Sequence, residues 1–514
     1  MSESRNFSRQ DTPKKIASRP DHFAALAIVR TLRSAGHQAY LAGGCVRDLL
    51  LGVPPKDYDV ATSATPDQVL ALFPKTFAVG AHFGVILVCT NPNDPCDPAL
   101  PLPTEDRFCL SFPKGICVSP GAAHSPQPGD SESWDGENDI ATEVATFRSD
   151  GAYSDGRRPD AVRFSTDPRE DVLRRDFTIN GMLLDPVKLE ETGDLDASIL
   201  DFVGGRRDLE KGIIRAIGDP ALRYTEDKLR LLRAVRFAAR LNFHLEVEGI
   251  RCKAAEITQV SAERIRDELT RILTEGAARR GFELLYQLGL LARILPEAVR
   301  MRGVAQPPQY HPEGDVWTHT MLLLEKLPAG CSTTLAWGAL LHDIGKPATF
   351  QPPDPNIPGD RIRFNGHVEV GVRIAEEVLA RLRFSNDETA QIVGLVKNHM
   401  RFGDIREMRA STLKRFLRLP HFDEHLALHR LDVTSAHGDL SLYDIAKAAY
   451  EAEPAPDLRP APLLTGRELI AAGYPPSPQF KPMLALAEDA QLEGSITSRD
   501  EALALIAAHF GPPP

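Results

Sequence analysis

The stretch Leu41-Ala42-Gly43-Gly44-Cys45-Val46-Arg47-Asp48, followed by Lys56-Asp57-Tyr58-Asp59-Val60-Ala61-Thr62, decides how the rest of the chain is read. Tyr40-Leu41-Ala42 has strand character and runs into a glycine pair, and Val46 to Leu51 reads as a short helix. Gly43 and Gly44 let backbone N–H groups approach a triphosphate where that helix begins, with Arg47 available to pair with it. Asp57 to Ala61 is a β-rich run. Strand residues two apart point to the same side, so Asp57 and Asp59 present paired carboxylates on one face. Such a pair can hold Mg²⁺ ions about 4 Å apart, to activate a hydroxyl and stabilise leaving pyrophosphate. Alone, each element says little, because most Asp-x-Asp sequences are solvated turns and most glycine pairs are tight turns. Together, in this order and this close, they are far more specific.

Working outward, helical and strand-like segments alternate from about Phe23 to Pro186: Asp21 to Ala35 has helical spacing, and Gly84 to Cys89 and Glu143 to Phe147 read as strands. After Asp208 the pattern is almost wholly helical. The fold class expected is α+β, a mixed head followed by α-helical domains. With 514 residues, two to four domains are expected. Asn91 to Asp139, rich in Pro, Gly, Ser and Asp, separates two strand signals and reads as a disordered insertion at the head's surface. Its Cys96, Cys109 and Cys117 match no standard metal-ligand spacing. Further breaks fall near Met301 to Pro312, at Gln351 to Gly359 and at Glu453 to Pro462.

Composition narrows the class. Hydrophobic residues make up 42% and charged residues 25%, a soluble globular profile. No apolar run is long enough for a membrane span. Met1 to Pro20 is polar and mildly basic, reading as a flexible tail without a signal peptide's apolar stretch. The 7 cysteines are dispersed without a C-x-x-C pair, which points to a reducing compartment, the cytoplasm, and away from structural zinc. A net charge of −11 is unusual for a nucleic-acid binder, but phosphate contacts need only a local basic face. Gly205 to Arg240 offers one: Arg206, Arg207, Lys211, Arg215, Arg223, Lys228, Arg230, Arg233, Arg236 and Arg240 outnumber Asp208, Glu210, Asp219, Glu226 and Asp227. Within it, Thr225 is expected to cap a helix running through Glu226 to about Leu241. Leu231, Leu232, Val235, Ala238 and Ala239 form its apolar side, and Asp227, Arg230, Arg233, Arg236 and Arg240 spread over the other. Asp227 and Arg230, three apart, are then neighbours, which in most helices means one surface salt bridge.

The head resembles the class II tRNA nucleotidyltransferases and bacterial poly(A) polymerases of the polymerase-β-like superfamily. The resemblance rests on the opening motif, on Phe147-Arg148-Ser149-Asp150-Gly151, on Arg157-Arg158-Pro159-Asp160 and on Arg174-Arg175-Asp176-Phe177-Thr178-Ile179-Asn180-Gly181-Met182. It implies that Arg175 serves the triphosphate and that Asp176 and Asn180 serve the ribose. It implies that Asp227 and Arg230 act as a protein template, hydrogen-bonding the base edge of incoming CTP or ATP, with Arg233 also facing the nucleotide. The chemistry is apt: Arg offers a fixed fork of donors and Asp only acceptors, so rotating the pair can match either base. For a third metal-adjacent acid the candidate is Glu143. Glu263-Arg264-Ile265-Arg266-Asp267-Glu268 resembles the following motif and reads as structural.

Downstream, His319, His342-Asp343, His367, His399 and Asp432 have the order of an HD domain, and Leu340-Leu341-His342-Asp343-Ile344-Gly345-Lys346 gives the dipeptide its expected setting. Neutral imidazoles with carboxylates suit Mn²⁺, Co²⁺ or Ni²⁺ better than Ca²⁺ or Mg²⁺. Such domains can hydrolyse phosphoesters. The division expected is a tail (1–20), a polymerase-β-like nucleotidyltransferase head (21–186, with the insertion at 91–139), an all-α neck (187–300) that selects nucleotides and binds tRNA, an HD domain (301–450) and a helical tail (451–514). The implied function is template-independent addition of CMP and AMP to the 3′ end of tRNA, with Mg²⁺ at the transferase site and phosphohydrolase activity in the HD domain. The alternatives are a poly(A) polymerase, an enzyme adding only CC or only A, an HD phosphohydrolase with an RNA-binding head, and a pure RNA-binding protein. Ala81 and His82 stand where the bacterial poly(A) polymerases usually have two basic residues, the Phe147–Tyr153 loop disfavours a CC-only enzyme, and intact Asp57 and Asp59 argue against a non-catalytic head.

Overall fold

A computed structural model describes residues 20–80, 83–90, 139–151, 153, 156, 159–452 and 460–513. Residues 1–19, the insertion up to residue 138 with its three cysteines, the Ala81-His82 pair and Arg157-Arg158 lie outside the described residues. The chain separates into two compact units, Met1–Arg230 with Phe243–Ile250, and Leu231–Asn242 with Arg251–Pro514.

The first unit is built on a sheet in the order β3-β4-β5-β2-β1-β8-β9. Its strands are β1 (Ala39–Ala42), β2 (Asp59–Thr62), β3 (Thr76–Gly80), β4 (Val85–Thr90), β5 (Ile140–Thr146), β8 (Met182–Leu184) and β9 (Ile199–Asp201), while β6 (Arg148–Asp150) and β7 (Val162–Phe164) pair separately. β2 and β5 run parallel, with Val60 opposite Val144, and the other neighbours in the large sheet are antiparallel. The sheet takes in β9, past the boundary expected at residue 186, because Leu183 and Leu184 need Leu200 and Ile199 as ladder partners. The helix Pro20–Ser34 lies across β1, β2 and β5. Its Ala24, Ala25, Ile28, Val29 and Leu32, spaced for one helical face, are all fully buried. At about 1.5–3 kcal/mol for each large aliphatic side chain buried, this face fixes the back of the sheet and leaves the β1 and β2 ends to carry the site. A short parallel pair, β10 (Ile213–Ile214) with β11 (His244–Leu245), interrupts the helical pattern expected after Asp208.

The second unit is helical among its described residues. Its central helix, Thr333–Leu341, is apolar all round and buried from Leu335 to Leu341, the composition of a helix surrounded by others. Around it pack Val316–Glu325, Asn386–Asn398 and Phe422–Ser435, with His367–Arg381 against Asn386–Asn398. The C-terminal helices Gly466–Ala471, Phe480–Leu492 and Arg499–Phe510 close a core of their own around Leu469, Met483, Ala502 and Ile506.

Candidate active site and candidate metal centre

In the first unit the chain leaves β1 at Ala42, opposite Asp59, and turns at Gly43 with φ 77° and ψ −130°. The positive φ favours glycine there, and a Cβ at Gly43 would stand 3.2 Å from Arg175 Nη1 and 3.8 Å from Asp59 Oδ2. Gly43, Asp59 and Arg175 therefore converge. Asp57 lies just before β2, two residues ahead of Asp59, instead of within the strand itself. Glu143 precedes Val144 as Asp59 precedes Val60, so on parallel neighbouring strands the two carboxylates stand side by side on one face. Burial, with the Glu143 and Asp57 carboxylates adding to it and Arg175 opposing it, pushes the Asp59 carboxyl up to about 6. A cluster of like charges of this kind is what a bound cation relieves.

Arg175 is positioned by Asp171, whose Oδ2 accepts from Arg175 Nε and Nη2 at 3.1 and 2.9 Å while Oδ1 takes Arg174. Asp171 is fully buried; burial favours its neutral form, but Arg175 and Arg174 outweigh it and hold the carboxyl below its ordinary range. Its signal in the sequence was the i, i+3, i+4 spacing of Asp171, Arg174 and Arg175, which went unread. Arg47, expected as a phosphate contact, is buried. It binds Asp48 Oδ1 (2.8 Å from Nε) and donates from Nη1 to Asn180 Oδ1 at 2.7 Å. Asp176 accepts from the Phe177 N–H at 2.8 Å and from Asn180 Nδ2 at 3.4 Å, so Arg47, Asn180 and Asp176 form one string behind the turn.

The helix expected from Thr225 to Leu241 is broken. One helix, Pro220–Glu226, starts at an Asp219 cap; the next begins at Arg230; and Asp227 between them is extended at φ −140° and ψ 105°. Asp227 Oδ1 accepts from the Leu229 N–H at 3.0 Å, in the turn just before the second helix, and Thr225 lies within the first. Arg230 is buried. Its Nη1 reaches Glu226 Oε2 at 2.7 Å and the Arg223 carbonyl at 3.1 Å, and its Nη2 the Arg174 carbonyl at 3.2 Å. Glu226, which also holds Arg223 at 2.9 Å, is the carboxylate that sequence reasoning missed here. Arg233 belongs to the second unit, where its guanidinium lies 5.5 Å over the Phe237 ring.

The expected basic face is also reduced. Arg206 pairs with Asp196, Arg215 with Asp208 and Glu246, and buried Arg236 with Glu268 at 2.5 Å and with Glu275. Most of these acids lie outside the Gly205–Arg240 window, so a local charge count could not see them. Leu231, Leu232, Val235, Ala238 and Ala239 are buried as the spacing predicts, and Glu268 has the structural use expected of its motif.

In the second unit His319, His342, Asp343, His367, His399 and Asp432 come together from five separate segments. Each imidazole is oriented from behind: Nδ1 of His342 meets the Ala339 carbonyl at 2.9 Å, that of His367 the Phe364 carbonyl at 2.9 Å and that of His399 the Val396 carbonyl at 2.7 Å. His319 Nδ1 instead meets Glu313 Oε1 at 2.7 Å. These partners assign the Nδ1–H tautomer and turn every Nε2 lone pair inward. All four Nε2 atoms are buried without a hydrogen-bond partner, a donor set that a divalent cation would satisfy. His319 Nε2 and Asp432 Oδ1 stand 3.0 Å apart, two lone pairs that need a proton or a metal between them. Burial opposes charge on His319, but Asp432 and Glu313 outweigh it and lift the ring to about 9. At Gly345 a Cβ would lie 2.1 Å from the His367 carbonyl oxygen, so the glycine after His342-Asp343-Ile344 is what lets the His367 helix close on the centre. Glu313, shared with His311 at 2.9 Å, and buried Lys346, 2.7 Å from Asp343 Oδ2, are further residues of the site. A cavity of about 670 Å³ opens over the centre, lined by Asp343, His367, His399, Asp432, Lys346 and Arg361 among others.

The family "Poly A polymerase head domain" matches residues 39–99 and 131–215, omitting 100–130 inside the insertion. The "Probable RNA and SrmB- binding site of polymerase A" matches 242–301, and the "HD domain" 315–435. The multifunctional CCA protein of Nitrosococcus oceani is 32% identical over 451 residues, 85% of this chain and 93% of that protein. A CCA-adding enzyme of Geobacillus thermodenitrificans is 36% identical over 275 residues, 53% of this chain and 54% of that protein. The chain thus spans about half the length of that relative, and 63% of the CCA-adding enzyme of Bacillus pumilus. The crystal structure of the Bacillus stearothermophilus CCA-adding enzyme in complex with CTP superposes with a TM-score of 0.63 at 23% identity, over 96% of this chain and 98% of that one, a likeness of fold.

Proposed function

The chain belongs to the CCA-adding enzyme family, and from that premise we propose that it adds CMP and AMP, taken from CTP and ATP, to the 3′ end of tRNA without a nucleic-acid template. The observation that carries the reading is the convergence of Gly43, Asp59 and Arg175 beside Glu143 and Asp57. Asp57 and Asp59 would hold Mg²⁺, which supplies charge neutralisation at the attacking and leaving oxygens. Arg175, held by Asp171, faces the triphosphate; Gly43 and Gly44 leave room for it, with Arg47 in the wall; Asn180 and Asp176 address the ribose. Asp227 and Arg230 read the base, the arginine held in place by Glu226 and two carbonyls. Arg233 is the further residue assigned to the nucleotide. The workplace is the cytoplasm; no described helix is long and apolar enough to cross a membrane.

The test offers tRNA transcripts ending before CCA, after C and after CC, each with CTP, ATP or both, and reads products by length and sequence. Completion to CCA and no further is expected. Long A tails would turn the reading to a poly(A) polymerase, and arrest after CC to a partial enzyme.

A second activity is favoured by the inward-facing Nε2 atoms of the HD centre. There His319, His342, Asp343, His367, His399 and Asp432 would hold Mn²⁺, Co²⁺ or Ni²⁺, whose role when bound is to activate water for phosphoester hydrolysis. Lys346 and Arg361 line the cavity and suit an anionic ester, 2′,3′-cyclic or terminal.

A further inference from the structure

Arg223 has no part in the base reading above, yet its guanidinium is held on three sides. Nε donates to the Ile217 carbonyl at 2.9 Å, Nη1 to Glu226 Oε2 at 2.9 Å and Nη2 to the Leu173 carbonyl. Arg230 is tied to the same neighbourhood. Its Nη1 donates to Glu226 Oε2 and to the Arg223 carbonyl, and its Nη2 to the Arg174 carbonyl at 3.2 Å. Leu173 and Arg174 close the helix Pro168–Leu173, where carbonyls have no partner within the helix. Arg223 and Arg230 thus hold two consecutive carbonyls, and the residue that follows them is Arg175, assigned to the triphosphate.

The other side of this turn is equally fixed. Buried Asp171 takes Arg174 on Oδ1 and Arg175 on Oδ2. Further along, Phe177 pairs with Ala216 in an antiparallel bridge, and the Ile217 N–H donates to the Asp176 carbonyl at 3.1 Å. Ile217 is also the residue whose carbonyl holds Arg223, so the hydrogen bonds close into a ring. An i, i+3 pair on a helix surface, the ordinary fate of Arg223 with Glu226, needs none of these backbone anchors. Among the described residues, Arg230 commits three of its five N–H donors to this ring, which leaves two for a base edge.

We propose that Arg223 is a positioning residue for base choice: it locks the Arg230 fork to the short segment that carries Arg175, so a base that fits Arg230 poorly also displaces the hold on the triphosphate. The inference rests on the transferase reading above and adds to it a residue and a consequence. Misplacing a reacting group by about 1 Å costs on the order of 100-fold in rate. A wrong base is therefore penalised in kcat and not only in KM.

The experiment measures single-nucleotide incorporation by the full-length chain with Mg²⁺, on tRNA transcripts ending before CCA and after CC. For each of CTP, ATP, UTP and GTP, kcat and KM are obtained separately. Arg223→Gln removes the charge and two of the anchors. The ratio of kcat for the correct nucleotide to kcat for a wrong one should fall about tenfold or more, the factor that one hydrogen bond to a charged group accounts for. Its KM for the correct nucleotide should stay within about threefold of the parent's. Arg223→Lys, which keeps the charge but offers one nitrogen where arginine offers three, should fall between the two. If melting curves show that the glutamine variant does not fold, the lysine variant decides alone. An unchanged kcat ratio, equal kcat losses for all four nucleotides, or a change confined to KM would overturn the inference, since a merely structural residue gives those results. The failures are separable: a parent that completes CCA while its Arg223 variants keep the parental ratio removes this inference alone, and a parent that adds neither CMP nor AMP removes the transferase reading together with it.

Discussion

Asp59 is a residue that works against the fold that holds it. Its carboxyl ionises near 3.8 in an unfolded chain and is pushed up to about 6 here by burial and by Glu143 and Asp57. Below pH 3.8 both states are protonated and nothing is lost. Between the two values the unfolded chain has released its proton and the fold has not, so stability falls as pH rises, and above 6 the full penalty stands. Asp59→Asn should therefore abolish CMP and AMP addition while raising stability at pH 8, without divalent cations, by on the order of 1–2 kcal/mol. At pH 4 the gain should shrink toward zero. Chemical denaturation of both proteins at both pH values checks this; equal stability at pH 8 would mean that Asp59 is not strained by its neighbours. At this scale the sequence was informative about chemical type and poor on partners. The convergence of Gly43 and Asp59 beside Asp57 was legible because it is set by neighbouring stretches of sequence. The carboxylates of Asp171, Glu226 and Glu313 were not, because an acid's worth there depends on which guanidinium or imidazole the tertiary fold sets against it.

Among elements, the break at Asp227 matters most. The periodicity from Leu229 to Leu241 identifies the second helix, but nothing in a 3.6-residue pattern marks where the first one ends, and Asp227 and Arg230 satisfy i, i+3 spacing whether or not a helix connects them. The extended backbone at Asp227 takes its side chain off the helix surface and gives Arg230 to Glu226. Base reading by a residue outside regular structure can adjust between cytosine and adenine more readily than one fixed on a helix face. Asp227→Ala or Arg230→Ala should relax discrimination among the four nucleotides by on the order of 1–3 kcal/mol, with tRNA affinity changing much less. Single-nucleotide incorporation kinetics decide it; equal losses for every nucleotide would point to a structural role. In the HD centre, the Val316–Glu325 helix presents His319 with Glu313 behind it. Glu313→Gln keeps the shape and removes the charge that orients and strengthens the ring, so Mn²⁺ affinity should fall about 10–100-fold. Calorimetric titration reads this directly, and an unchanged affinity would leave Glu313 as a mere neighbour.

On the scale of the whole molecule, the order of parts was readable because each carries its own signature: a strand-turn-helix with paired acids, a helical stretch, then spaced histidines. Boundaries were less so. The sheet runs to β9 because strand pairing is non-local, and no composition shift marks residue 201. Deleting residues 93–138 should leave CCA addition within a few-fold of the full chain, since the matched head family omits 100–130 and the segment is rich in Pro, Gly and Ser. Loss of tRNA affinity in a folded deletion variant would make that segment a functional element.

The last prediction concerns the independence of two chemistries on one chain. Asp57 and Asp59, proposed for the transferase, belong to one compact unit, and the six residues proposed as HD ligands belong to the other. Their ligand sets differ in kind, hard oxygens for Mg²⁺ against mixed nitrogen and oxygen for Mn²⁺, Co²⁺ or Ni²⁺, so each site should respond to its own ion. His342→Ala removes one Nε2 donor, and Asp343→Ala removes the carboxylate that faces His342 and His399. Either change should abolish metal-stimulated phosphoester hydrolysis and leave CCA addition within about twofold of the parent, with Mg²⁺ as the cation. His342 and Asp343 are both buried among helices of the second unit, so some loss of thermal stability is expected, and the transferase assay is made well below the variants' melting temperatures. If a folded Asp343→Ala chain lost CCA addition as well, the two units would be energetically coupled through the HD centre. Metal occupancy there would then govern tRNA end-building, a dependence that titrating Mn²⁺ into the parent during CMP addition would show independently.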